Sequence, residues 1–169
     1  MWLVMNENAL IAELRTFQVE TWPSIVKSWQ VSGRATGTAL QSVLALAWVT
    51  PVASPATLLP QTEWLTLFRF AGFHVYAHPW TDPPSNERTD SVVWRVARDA
   101  TETCRLSWFE HERSARRYWE MFANTDVQPC LFRALAPASS VLARYSVPPE
   151  WDELVLDPDL LTDIEQIES

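Results

Sequence analysis

Apolar residues recur at helical spacing through the first half of the chain and at alternating or clustered spacing through the second. Leu10, Leu14 and Phe17 share one face of a segment from Asn8 to Val19, which predicts an amphipathic helix. Pro23 suits the first turn of a second helix that turns Ile25, Val26 and Trp29 inward and stops at Gly33. Thr38 to Val49 aligns Leu40, Val43, Leu44, Ala47 and Trp48, with Pro51 as the break. Pro51 to Pro60 holds three prolines and no charge and reads as a loop. A fourth helix is predicted from about Thr62 to Ala71, with Gly72 as its C-terminal cap.

The pattern then changes. His78 to Asp90 is polar and carries three prolines, so it reads as a long loop between subregions. Ser91 to Ala97, rich in Val and Trp, predicts a strand, and Cys104 to Ser107 a second short one. Glu110 to Phe122 places Ala115, Tyr118, Trp119 and Phe122 on one helical face. Pro129 to Ala136, Val141 to Tyr145 and Leu154 to Asp157 are further strand candidates, and Asp159 to Ile167 reads as a last helix. The expectation is an α+β protein: a helical region over residues 1–75 packed on an α+β domain over 76–169.

Length and composition fit this outline, since 169 residues with 47% apolar content can bury a sizeable core. Ten tryptophans exceed what a core of this size needs, so some are expected at a cleft or an interface. The formal charge of −8, from 21 acids and 13 bases, argues against passive attraction to phosphate backbones. Arg113, Arg116 and Arg117 form the one compact basic cluster and read as a solvated helix face. The acids concentrate from Glu150 to Glu168. Two cysteines, Cys104 and Cys130, make no disulfide framework or zinc site, and their strand-like surroundings predict buried thiols in a reducing compartment. The start lacks the marks of a signal peptide, and no apolar run reaches the length of a membrane span, so a cytoplasmic protein is expected.

Several chemistries are excluded by pattern. Three glycines leave no phosphate-binding loop of the P-loop or dinucleotide type. His111-Glu112 opens a zincin-like motif, but Ala115 stands where the second histidine is required. No Gly-x-Ser-x-Gly elbow exists, and nothing local supports Cys104 with His111 as a nucleophile pair.

What remains is a constellation in the second half. Arg95 follows Val92-Val93-Trp94, Ser107-Trp108 precedes a helix, and Glu153 lies in Trp151-Asp152-Glu153-Leu154-Val155-Leu156-Asp157-Pro158. A guanidinium grips phosphate, an aromatic plane packs on a flat leaving base, and a carboxylate stabilises a ribosyl cation as that base departs. The order and surroundings of these residues resemble the ADP-ribosyltransferase family of the Arg–Ser–Glu type, in particular bacterial and phage members. Trp94-Arg95 looks like the family's first strand, and Leu106-Ser107-Trp108 with the helix bearing Ala115 and Phe122 looks like its second motif. Ala136-Pro137 through Val141-Leu142-Ala143, then Glu153 to Pro158, looks like its recurrent ending, and Trp64-Leu65 to Phe68-Arg69 with Gly72 resembles the preceding helix. The resemblance covers roughly Glu63 to Leu160.

The resemblance implies a split β-sheet fold and an enzyme that uses NAD as substrate, needs no metal, releases nicotinamide and moves ADP-ribose to an acceptor. By it Arg95 contacts the NAD phosphates, Ser107 holds the nicotinamide side of the pocket, Trp108 walls that pocket, and Glu153 is the catalytic residue. Three positions depart from the family pattern: Val96 replaces a common glycine, Phe109 a threonine or serine, and Trp151 the second glutamate of arginine-modifying members. The last change implies an acceptor other than arginine, and the chain's acidity favours protein over nucleic acid, with no membrane. Two relatives of that reading share its residues: a non-catalytic module of the same fold that binds a protein through exposed tryptophans, and a toxin that hydrolyses NAD. Each residue also has a purely structural reading. Arg95 could pair with the acidic C-terminal segment, Ser107 could cap the helix with Glu110 in a Ser-x-x-Glu box, Trp108 could be core, and Glu153 a solvated acid.

Overall fold

The computed structural model describes residues 6–122, 126, 128–147 and 151–169, the side chain of residue 151 excepted. The chain divides into two compact units, Met1–His74 and Val75–Ser169.

The first unit is helical: α1 (Glu7–Leu14), α2 (Trp22–Val31), α3 (Gly37–Val49), the short α4 (Pro55–Leu58) and α5 (Gln61–Ala71). Local signals set most of the boundaries. The Asn6 side chain accepts from the Ala9 amide at 2.9 Å and starts α1. Pro23 occupies the first turn of α2, and Gly72, at φ 72°, closes α5 with its amide on the Phe68 carbonyl. α1 ends four residues or more before the predicted stop, because the Thr16 and Phe17 amides bond the Glu13 and Leu14 carbonyls and turn the chain away. Phe17 is therefore exposed rather than part of the apolar face. Leu10, Leu14, Val26, Leu40, Val43, Leu44, Leu67 and Phe68 form the core. Trp48 meets Trp64 edge-on at 4.9 Å and Phe68 at 5.1 Å, and the Trp64 indole donates to the Pro55 carbonyl at 2.8 Å. That bond fixes the turn of α4, which interrupts the segment expected to be loop throughout.

The second unit carries the sheet. Its strands are β1 (His74–Ala77), β2 (Ser91–Ala97), β3 (Ser107–Phe109), β4 (Cys130–Ala136), β5 (Val141–Val147), β6 (Trp151–Leu156) and β7 (Thr162–Glu168), ordered β1-β5-β6-β3-β2-β4-β7. One helix, α6 (Glu112–Phe122), joins β3 to the β4 side. The protein is thus α+β, with antiparallel pairing of β2 with β3 and β4, β6 with β3 and β5, and β4 with β7. Val93, Leu131, Phe132, Trp108, Leu154 and Leu156 are buried in the sheet core. Residues 78–90 form no regular element, in agreement with their prolines.

Three predicted elements differ. Cys104 to Ser107 is not a strand: the Asp99 carboxylate accepts from the Thr101 amide at 2.8 Å and starts a 3₁₀ turn over Ala100–Cys104, which leaves the Cys104 thiol exposed. The predicted last helix is instead β7, an edge strand paired through Phe132↔Gln166 and Arg133↔Glu165. The Asp157 side chain accepts from the Asp159 amide and starts a 3₁₀ turn over Pro158–Leu160, which ends at extended Leu161, so the chain enters β7 already extended. α6 starts at Glu112, not Glu110. Ser107 is consequently a strand residue, and it does not form the capping box with Glu110. Among the described residues no helix is long and apolar enough to cross a membrane.

Candidate functional site

β6, β3 and β2 are consecutive in the sheet although β6 follows them by two strands in the chain. Arg95, Ser107 and Glu153 therefore stand on three neighbouring strands. One row of partners crosses all three, Glu153↔Phe109 and Phe109↔Trp94. Directly paired residues share a face of the sheet, and alternate residues along a strand return to it. Ser107, paired with Val155, is thus on the same face as Glu153.

Arg95 lies one residue past the single β2–β3 pair, where the two strands part, so its side chain leaves the sheet on the face opposite Glu153 and Ser107. Its guanidinium reaches across that gap. Nε donates to the Glu102 carbonyl at 2.9 Å, and a terminal nitrogen donates to the Ser107 carbonyl. Removal from water pulls the guanidinium down to about 10 from its usual value; the Glu102 charge pushes it back up, Arg105 pulls it down, and Glu153 pushes it up. Arg95 remains a cation at neutral pH, and it sits within electrostatic reach of Glu153.

Glu153 is half-buried, with Phe109 on one side in register and Tyr145 on the other. Tyr145 is fully buried. Burial first, and the Glu153 charge second, raise its phenol well above the ordinary value, so it stays protonated beside the carboxylate. Trp108 points to the other face, opposite Leu154. It is 1% exposed, with its indole donating to the Arg105 carbonyl at 3.0 Å, so it is a core side chain away from the Ser107–Glu153 face.

The aromatic wall comes instead from α6 and β3. Tyr118 packs on Phe109 at 5.5 Å and on Phe122 at 4.9 Å. Beside Arg95 opens a cavity of about 270 Å³ whose lining includes Val96, Glu102, Tyr118 and Phe122. That is near the lower end of the roughly 300–1,000 Å³ of small-molecule sites, room for one ring rather than a dinucleotide. The Phe109–Tyr118–Phe122 series links this cavity to the Glu153 row. Sequence reasoning had placed Tyr118 and Phe122 on one helical face without assigning them a role; the signal was their spacing of four on an otherwise charged helix.

Arg116, from the basic cluster, pairs with Glu112 at 2.7 Å and with Glu168, while Arg113 and Arg117 are exposed, as a solvated helix face requires. Among the described residues no group of three or more His, Cys, Asp or Glu side chains is placed to hold a metal ion. Comparison with known proteins finds no family, no curated protein and no solved structure that matches the chain.

Proposed function

We propose that the protein is an ADP-ribosyltransferase that takes NAD as substrate, releases nicotinamide and transfers ADP-ribose to an acceptor other than arginine. The observation that carries this reading is that Arg95 and Glu153, far apart in the chain, stand on the two strands that flank β3, close enough for their charges to interact although their side chains leave opposite faces. Arg95 holds the pyrophosphate of NAD with a cation already fixed by two backbone carbonyls. The nicotinamide ring lies along the Phe109–Tyr118 wall, a role first expected of Trp108. The bond from ribose C1′ to the nicotinamide nitrogen then breaks, its electron pair leaves with nicotinamide, and the ribose becomes cationic. Glu153 stabilises that cation, which exists only in the transition state. The acceptor's lone pair closes on C1′ and its proton is released. No step calls for a metal.

Support for an acceptor other than arginine is the residue at 151, a tryptophan in place of a second glutamate. A protein acceptor in a cytoplasmic setting accords with the net charge of −8. Incubation with NAD followed by chromatography of free nicotinamide tests the reading directly: release above the blank supports it, and none overturns it. A second reading, a non-catalytic module of the same fold, is favoured by one observation. Two donors of Arg95 are already engaged by the Glu102 and Ser107 carbonyls. That module would bind NAD weakly or not at all, so NAD calorimetry separates the two.

A further inference from the structure

On the other face of the sheet from Glu153 lies a second cavity, of about 720 Å³, that the proposed chemistry does not use. Its floor is Arg144 on β5. Arg144 pairs with Leu154, the neighbour of Glu153 on β6, so its side chain leaves the sheet on the side opposite the carboxylate. It is 4% exposed and is flanked along β5 by fully buried Ala143 and Tyr145. A guanidinium in such a place ordinarily has a bidentate carboxylate and no idle donor. Arg144 has one Glu110 oxygen at 3.2 Å and the Ser85 carbonyl at 3.2 Å, and among the described residues nothing accepts from Nε. It is an under-satisfied buried cation lining a space large enough for a ligand.

Two further features converge there. The first turn of α6, through Arg113 and Ser114, lines the same cavity; the Ser114 amide donates to the His111 carbonyl at 3.1 Å, so the helix-opening donors are the Glu112 and Arg113 amides ahead of it. At the rim stands Trp80, 88% exposed, with its ring met edge-on by His78 at 5.4 Å. An indole held open to solvent beside a buried guanidinium offers a stacking plane next to an anion anchor. The acids of the wall suit hydroxyl donors: Asp152 is met by His111 at 3.3 Å, and Glu110 by Arg144.

We propose that this cavity binds a phosphate-bearing ring compound of the nucleotide class, with the phosphate on Arg144 and the α6 amides, the ring on Trp80, and sugar hydroxyls toward Glu110 and Asp152. It is a site separate from the one built on Arg95 and Glu153, and it stands whether or not that site turns over NAD.

The test is calorimetry of the full chain with adenosine monophosphate, adenosine and inorganic phosphate. Adenosine monophosphate is expected to bind ~10-fold or more tighter than either fragment, and Trp80→Ala to cost about 10-fold, as loss of one base-stacking partner typically does. Arg144→Met should abolish the preference for the monophosphate over adenosine. Trp80 is exposed, so its replacement does not threaten the fold, and it decides the matter alone if Arg144→Met fails to fold. The proposal is overturned if adenosine monophosphate binds no tighter than adenosine, or if Trp80→Ala binds it as the parent does.

Discussion

The two units bury different things. Among the described residues of the first, the core is aliphatic and aromatic, and the lone buried polar side chain is His74. In the second, Thr103, Ser114, Ser140, Arg144, Ser146 and Asp157 are all buried, four of them on or next to β5 and β6. Burying polar groups costs stability unless each is bonded, so a unit that carries many of them holds a more polar interior than folding alone requires. The first unit is built for packing. The second accepts two cations on one face of its sheet, half-buried Arg95 on β2 and buried Arg144 on β5, with the Glu153 carboxylate on the other face, and that is where chemistry is to be sought.

The largest effect expected from this contrast is on stability. Trp64 is 1% exposed, meets Trp48 edge-on, stacks with Phe68, and donates to the Pro55 carbonyl. Trp64→Ala should cost about 3–5 kcal/mol by urea denaturation, the usual range for removing a buried aromatic. A loss below about 1 kcal/mol would mean that the first unit is not packed around this ring. Next comes Glu153→Gln, which keeps the shape and removes the charge. NAD affinity should hold while nicotinamide release falls by about 10²–10³-fold, equivalent to about 3–4 kcal/mol of transition-state stabilisation. Release at the parental rate would reduce Glu153 to a half-buried acid beside Tyr145. Arg95→Ala should act differently, because a phosphate clamp works on bound NAD as well as on the transition state. Its expected cost is about 1.5–3 kcal/mol in NAD affinity by calorimetry, the worth of a charged hydrogen bond. Undiminished affinity would remove Arg95 from the site.

The same contrast explains what could be read from sequence. Helix boundaries in the first unit rest on local devices such as Pro23 and Gly72, which are visible as letters. β2 was legible because Ser91 to Ala97 is a β-branched and aromatic run bounded by polar residues. β7 was not, because Thr162 to Glu168 is acidic and exposed, and only pairing with β4 makes it a strand. Arg95, Ser107 and Glu153 could be picked out by order alone, but their standing on adjacent strands, with Arg95 on the opposite face, depends on β6 crossing back beside β3, which no local signal specifies. Trp108 and Phe109 show the limit most clearly: a shift of one residue exchanges the two faces of a strand, and the register with β6 sends Phe109 toward Glu153 and Trp108 into the core. Arg144 gave no signal at all, since a lone arginine in a strand reads as a surface residue until its burial is known.

The smallest expected effect is a slope rather than a loss, and it comes from the single buried polar side chain among the described residues of the first unit. His74 is 6% exposed, with its ring 6.0 Å from and nearly parallel to that of Phe68 and its Nδ1 2.8 Å from the Gly72 carbonyl. Burial lowers its pKa from the ordinary 6.5, and the Gly72 carbonyl only partly opposes this. The folded protein thus takes up this proton at a lower pH than the unfolded chain. Between the two values the unfolded chain binds more protons, so the contribution is fully present above 6.5 and declines as the pH falls through the folded value. The Asp99 and Glu102 carboxylates are held below their usual range, so their titration does not coincide with the onset of this decline at 6.5. Urea denaturation midpoints measured from pH 8 downward should therefore decline on acidification past 6.5 in the parent, whereas His74→Phe, which retains a ring against Phe68 but cannot protonate, should lack that part of the slope. Equal slopes in the two proteins would place the acid sensitivity elsewhere. The polar interior of the second unit would then be the region to search.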